Sequence, residues 1–341
     1  MVLLTGANGH LGANLLRRLL RDGAVVRVLL RPSSDNSTLD GLAVERVFGD
    51  LRDEASVRSA VQGCSQIYHA AALVSTVDRN RKDIYETNVI GTRNILNAAR
   101  AHGAEKVVVS GSLSATGHTG ARPCDETAPF DPFEKHLPYA ISKAFVEQEC
   151  LKAHADGLPV TIAVSCAILG GWDFKPSRMG RVLVDFAARR LRAYIPGGFE
   201  FVAADDIAEG HILAMRKGRS GQKYIFRTQF LTVDQLMDIY RRVTGQPKPL
   251  LRLSPGVMAG FAHVSSLVLD NLFPNVPQRL NPAAIRLLQM QRRASSAKAE
   301  SELGYQPGDI AAAIGQAYDG FVERGKIQTP AGLAQHARAG G

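Results

Sequence analysis

Val2-Leu3-Leu4-Thr5-Gly6-Ala7-Asn8-Gly9-His10-Leu11-Gly12 is the stretch that decides how the chain reads. A short apolar run ends at Thr5, three glycines follow at even spacing, and a helical pattern from Leu11 to Leu20 takes over. Glycines so placed permit a tight turn, let the backbone approach a pyrophosphate, and let strand and helix pack closely. The helix start adds unpaired N–H groups and the positive end of its dipole. Gly6, Asn8, Gly9, His10, Leu11 and Gly12 are therefore the candidate phosphate cradle.

Working outward, Val2-Thr5, Val25-Leu30, Val44-Phe48, Gln66-His69, Lys106-Ser110 and Val160-Ser165 read as strands, with helices near 10–22, 53–62, 83–102 and 136–155. Apolar runs without polar alternation mean strands buried on both faces, as in a parallel sheet covered by helices. Alternating βα units predict an α/β, doubly wound parallel sheet of the Rossmann type over 1–170, binding a dinucleotide at the glycine turn. Past Gly170 the rhythm changes to helices near 179–191, 205–216, 232–244, 281–293 and 308–324, with short strands at 193–196, 199–202 and 223–226. This predicts a smaller, mainly helical substrate domain from 171–198 and 227–325, with 199–226 returning to the first domain and 326–341 a loose tail.

Where an NAD enzyme places a carboxylate after the second strand, this chain has Leu30-Arg31-Pro32-Ser33-Ser34. Arginine suits a 2′-phosphate, so NADP(H) is favoured and NAD(H) is the alternative. After the third strand, Asp50 in Gly49-Asp50-Leu51 either accepts from the adenine amino group or caps the helix beginning near Asp53. The small Ala70-Ala71-Ala72 run after the fourth strand lets a cofactor lie close to the backbone.

Tyr139 and Lys143, in Tyr139-Ala140-Ile141-Ser142-Lys143, are four apart and share a helix face. A phenol titrates near pH 10, so acid–base work at neutral pH needs nearby cations. Lys143 and an oxidised nicotinamide would supply them, letting Tyr139 exchange a proton with a substrate oxygen while hydride moves at the adjacent carbon. Ser112 in Ser110-Gly111-Ser112-Leu113-Ser114 puts a hydroxyl at a strand's C-terminal end, ready for the reacting oxygen.

The 341 residues are 45% hydrophobic, enough for one large core or two smaller ones. Cys64, Cys124, Cys150 and Cys166 are scattered without metal-site spacing, which predicts reduced thiols in a cytoplasmic protein without a metal. The start lacks the layout of a signal peptide. Val257 to Phe273 is broken by His263, Ser265, Ser266 and Asp270, so no membrane span is expected. The net charge of +9 is dispersed and lacks interleaved aromatics, which argues against nucleic acid as a partner.

The ordered set Thr5–Gly12, Gly49-Asp50-Leu51, His69–Ala72, Asn88-Val89-Ile90-Gly91-Thr92, the Ser112 strand and Tyr139–Lys143 resembles the extended short-chain dehydrogenase/reductase family. Ala203–Ala208 and Glu302–Pro307 are similar to its late motifs. Arg27–Pro32 and Gly180–Asp185 resemble the branch of dihydroflavonol-4-reductase-like and hopanoid-associated sugar epimerase proteins. The resemblance implies Tyr139 as acid/base, Lys143 as its partner and ribose ligand, Ser112 as oxygen-binding hydroxyl, Asn88 as orderer of a relay water, and a homodimer through 83–102 and 136–155. Two departures from the family stand out. Ser110-Gly111-Ser112 replaces the usual TSS, which leaves Ser114 able to stand in for Ser112, and Ser165-Cys166-Ala167-Ile168-Leu169-Gly170 lacks the proline-containing turn beside the nicotinamide, where Cys166 and Ile168 would sit.

Val74, Ser75, Ser114, Trp172 to Lys175 with Phe174, Met179 and Phe201 are the nominated pocket residues. Their apolar cast favours a hydrophobic or polyketide-like carbonyl or alcohol over a nucleotide sugar, whose diphosphate calls for several cations. Three functions stay open: an NADPH-dependent reductase of a ketone or aldehyde, an epimerase or dehydratase that recycles hydride on bound NAD, and a non-catalytic dinucleotide sensor.

Overall fold

A computed structural model describes residues 1–75, 80–117, 122–130, 137–254, 256 and 282–328; the 257–273 stretch and the tail from 329 onward lie outside the described residues. The chain runs β1 (Val2–Thr5), α1 (His10–Arg21), β2 (Val26–Leu30), β3 (Glu45–Phe48), α2 (Glu54–Val61), β4 (Gln66–His69), α3 (Arg81–Tyr85), α4 (Gly91–Ala101), β5 (Lys106–Ser112), α5 (Pro138–Ala155) and β6 (Val160–Ser165). It continues through β7 (Ala167–Leu169), α6 (Arg178–Ala187), β8 (Ala193–Tyr194), β9 (Gly198–Ala203), α7 (Ala204–Lys217), β10 (Lys223–Phe226), β11 (Gln229–Thr232), α8 (Val233–Thr244), β12 (Leu251–Arg252), α9 (Pro282–Met290), α10 (Ala297–Leu303) and α11 (Ile310–Glu323).

Seven strands form one sheet in the order β10-β6-β5-β4-β1-β2-β3. Every neighbouring pair in it is parallel. Leu3, Leu4 and Val107 to Val109 are fully buried because helices cover both faces, whereas the edge strand β3 is largely exposed. The strand order reverses between β1 and β4, which opens a crevice at their carboxyl ends.

A second, smaller core lies among α6, α8, α11 and a three-stranded sheet, β11-β9-β7, with Phe201, Leu231, Tyr240 and Phe321 inside it. Strands β7, β11 and β12 are absent from the sequence-based expectation. They are two to four residues long and gain their partners only across the fold, so no local periodicity marks them. The single helix expected over 83–102 is α3 and α4 joined by a π turn at Glu86–Ile90. Such turns insert one residue into the helical ladder, and Asn88 lies within this one.

Candidate active site

Thr5, the last residue of β1, pairs with His69, the last of β4, so the glycine turn and Ala70–Ala72 leave the sheet side by side at the crevice. Gly6 has a φ of +76°, and a Cβ on it would stand 2.7 Å from the Ala71 Cα. A Cβ on Gly12 would lie 2.0 Å from the Gly6 carbonyl oxygen. Only glycine allows both approaches. The N-cap of α1 is Gly9, and among the described residues no side chain caps it, which leaves the first helical N–H groups for an anion. These features fit the pyrophosphate of a dinucleotide.

Ser112 closes β5 opposite Ser165 of β6, and its Oγ lies 2.8 Å from the Ser114 Oγ. Pro138 opens α5 at a position where its missing N–H costs no hydrogen bond, and Tyr139 follows. The Tyr139 phenol lies within interaction range of the Ser112 hydroxyl. One turn on, the buried Lys143 Nζ donates to the Ser110 carbonyl oxygen at 2.7 Å and stands 6.0 Å from the centre of the Tyr139 ring. Burial brings Lys143 down to about 8. Burial also pushes the Tyr139 phenol up to about 12, while the nearby Ser112 hydroxyl and the Arg178 charge pull it the other way. The lowering expected of Lys143 is not the outcome in the protein alone, because the ammonium is turned to Ser110 and loss of water outweighs the opposing interactions.

A phosphate cradle, a hydroxyl at the end of β5 and a phenol–ammonium pair share one sheet edge. The NAD dependent epimerase/dehydratase family matches residues 2–226 of the chain. The chain belongs to that family. It is 41% identical, over 95% of its length and 99% of the relative, to "Sterol demethylase protein B" of Methylococcus capsulatus. It is 32% identical, over 96% of both chains, to a "Putative dihydroflavonol 4-reductase" of Synechocystis sp.. The solved structure of gox2253 superposes with a TM-score of 0.84 at 31% identity, over 96% of this chain and 99% of that one. Membership makes the chain an NAD(P)-dependent oxidoreductase of the extended short-chain dehydrogenase/reductase type, with a nicotinamide dinucleotide as cofactor. Among the described residues no helix is long and apolar enough to cross a membrane.

In this family member the other nominated residues fall into separate groups. Asn8 donates to Asn36 and His10 Nε2 donates to the Gly171 carbonyl, tying the cradle to the loops after β2 and β7. Arg31 is exposed just past β2. The Asp50 carboxylate, held below the usual range chiefly by its hydrogen bond with Arg52, does not cap a helix; Asp53 caps α2. Leu51 is buried against Gly91, and its carbonyl accepts from Asn94. Asn88 accepts from the Leu73 N–H at 2.7 Å and donates to the Leu73 carbonyl at 3.1 Å and to Ser142 Oγ at 3.0 Å. That side chain braces the segment after β4 against α5.

Several pocket nominations end elsewhere. Phe201 is completely buried and edge-on to Phe199 in the second core, so it does not line a pocket. Trp172, half exposed at a φ of +55°, stacks on Phe174 and lies 4.1 Å over the Arg17 guanidinium. Arg17 is on α1 and also donates to the Thr38 carbonyl, so this aromatic pair clasps the flank of α1. Met179 packs against the second core, while Cys166 and Ile168 belong to the first. Val74 is exposed and Ser75 is buried, accepting from Asn80.

Sequence reasoning missed Arg178, the first residue of α6, whose charge acts on Tyr139. Arg178 and Arg181 in the first turn, with no acid there, were the available signal, since cations are disfavoured at a helix N-terminus. It also missed His211, which is fully buried and lowered to about 4 by burial. Its Nδ1–H donates to the Ile207 carbonyl, so Nε2 accepts from the Ser110 hydroxyl at 2.7 Å.

Proposed function

We propose that the chain is an NADPH-dependent reductase that turns a hydrophobic ketone or aldehyde into the alcohol, with Tyr139 as general acid. The observation that carries this reading is the Tyr139 phenol acting within reach of the Ser112 hydroxyl at the end of β5, with Lys143 one helical turn behind it. Ser112 would hold the substrate oxygen beside the phenol, with the Ser114 hydroxyl 2.8 Å away as the alternative. Tyr139 Oη would pass its proton to that oxygen, and Ser112 would steady the developing charge. Lys143, cationic at neutral pH, would hold the cofactor's ribose and favour the phenolate left behind. When bound, the nicotinamide supplies the hydride and, once oxidised, a second positive charge near the phenol.

Arg31, with no carboxylate in Arg31-Pro32-Ser33-Ser34, supports a 2′-phosphate and hence NADPH. Relatives named for a sterol and a dihydroflavonol, both bodies of fused rings, support a hydrophobic substrate. Residues 1–170, with α7 and β10 returning, are assigned to cofactor binding, and 171–198 with 227–325 to the substrate; β9, expected to return with them, packs instead in the second core through Phe201. Tyr85, Phe145 and Leu151, exposed along the 83–102 and 136–155 helices, support a homodimer through that face.

The test is to denature freshly purified protein, quantify any dinucleotide released, and titrate the emptied protein with NADPH and NADH. Protein that arrives empty, prefers NADPH and consumes it with apolar ketones supports the reading. Stoichiometric retained NAD with no net cofactor turnover replaces it by internal hydride recycling, as in an epimerase or dehydratase.

A further inference from the structure

His69 is buried at the end of β4, outside the chemistry described so far, yet it stands at the centre of a chain of short hydrogen bonds. The Ala71 N–H donates to Thr5 Oγ1 at 3.3 Å, and Thr5 Oγ1 lies 2.7 Å from His69 Nδ1. On the other side of the ring, Nε2 is 3.0 Å from Thr92 Oγ1, whose hydroxyl donates to the Asn88 carbonyl at 2.5 Å.

The proton order follows from the two ends. A carbonyl only accepts, so the Thr92 hydrogen is committed to Asn88 and its oxygen must accept from a His69 Nε2–H. With that hydrogen in place, a neutral ring presents a bare Nδ1, which accepts the Thr5 hydrogen and leaves the Thr5 oxygen free for Ala71. Every hydrogen has one acceptor, and the chain runs in one direction. Beyond Asn88 it branches through the side-chain amide to Leu73 and to Ser142, which in turn donates to the Tyr139 carbonyl. Ala71 is the residue that faces Gly6.

We infer that His69 is a positioning residue: as a neutral Nε2–H tautomer it locks the wall of the dinucleotide crevice at Ala71 to the helix turn of Asn88 and, through Ser142, to the first turn of the catalytic helix. A neutral ring is what this site enforces. Burial holds His69 at about 3, with the Lys143 charge acting in the same direction, and a second ring proton would break the Thr5 bond. The inference rests on the nicotinamide dinucleotide lying along Ala70–Ala72.

The test joins a spectroscopic measurement to a variant series on the full chain. Nitrogen-15 NMR of the imidazoles, with the His69 signal assigned by its loss in His69→Gln, is expected to show an Nε2–H tautomer that does not titrate between about pH 8 and pH 5. An Nδ1–H tautomer, or titration in that window, overturns the inference. This reading needs no cofactor, so it stands apart from the dinucleotide assignment, which NADPH and NADH titration of the wild-type protein tests separately. His69→Leu removes both ring bonds, whereas His69→Gln presents an acceptor and a donor on one planar amide. His69→Leu is expected to raise the Kd of the preferred dinucleotide about tenfold or more, with the KM of the carbonyl substrate at saturating cofactor changed by less than about twofold. His69→Gln should recover most of that affinity. Equal Kd values in wild type, Leu and Gln variants overturn the inference. If His69→Leu does not fold, Thr92→Val cuts the chain one bond further on, and an unchanged Kd there overturns it equally.

Discussion

Lys143 Nζ donates to the carbonyl oxygen of Ser110 at 2.7 Å, two residues before Ser112 on the same strand. The ammonium of α5 is thus held by the strand that presents the hydroxyl, so the spacing of Tyr139, Ser112 and Lys143 depends on how α5 seats against β5. The Ser110 hydroxyl is in turn held by His211 of α7, from the helix layer that packs against α1.

Replacing Tyr139 by Phe removes the proposed proton donor and little volume. Reduction should fall roughly a hundred- to ten-thousand-fold in kcat with the dinucleotide Kd unchanged. Ser112→Ala and Ser114→Ala, assayed beside it, decide which hydroxyl holds the substrate oxygen: the larger loss in kcat identifies it. Unchanged turnover in Tyr139→Phe removes the phenol from the mechanism.

Lys143 is cationic below about pH 8, because burial lowers it, and neutral above. If its charge is used, kcat/KM for carbonyl reduction should decline as pH rises through that value, since this ratio reports groups of the free enzyme. A profile flat to about pH 10 would mean that the ammonium charge is not used.

His69 and His211 sit at about 3 and about 4, below the ordinary value, in each case first because they are buried. As pH falls below about 6.5 the unfolded chain takes up these protons and the folded chain does not, so stability drops. Each ring should remove on the order of 1–2 kcal/mol by about pH 5. Glu147 and Glu200, raised by burial, act in the opposite sense, because the folded chain takes up their protons at a higher pH than the unfolded chain does. Urea midpoints at about pH 7.5 and pH 5, compared between the wild type and His211→Gln, check this: the drop should be smaller in the variant, and equal drops count against a neutral buried ring.

Arg31→Asp exchanges the cation proposed to meet the 2′-phosphate for a carboxylate that suits a free ribose 2′-hydroxyl. NADPH affinity should fall about tenfold or more while NADH affinity holds or improves. Isothermal titration with both cofactors reads this directly, and parallel changes for the two would detach Arg31 from the 2′-position.

Phe201 and Trp172 separate core from surface. Phe201→Ala should cost roughly 3–5 kcal/mol of stability, as for other buried aromatics. Trp172→Ala, which loses mainly a stack over Arg17, should cost no more than about 1 kcal/mol and leave the substrate KM unchanged. A KM effect at Trp172 with stability intact would return it to the pocket wall.

The sequence by itself determined the elements whose physics is local. The glycine turn is legible because no other residue tolerates the Gly6 φ and the 2.0 Å approach at Gly12. The parallel sheet is legible because strands buried on both faces are apolar without alternation, and the Tyr139–Lys143 pair because four residues make one helical turn. Tertiary structure decided what depends on partners far along the chain. Strand β7 exists only through β9, Phe201 is core only because β9 faces α8 and α11 across a second apolar layer, and Arg178 reaches Tyr139 from thirty-nine residues away. His69, which reads in the sequence as one polar residue ending an apolar strand, acquires its place from Thr5 and Thr92, brought to its two ring nitrogens by strand pairing and the π turn. Hydrogen bonds between residues so distant leave no periodic trace in the chain, and so only the folded arrangement shows them.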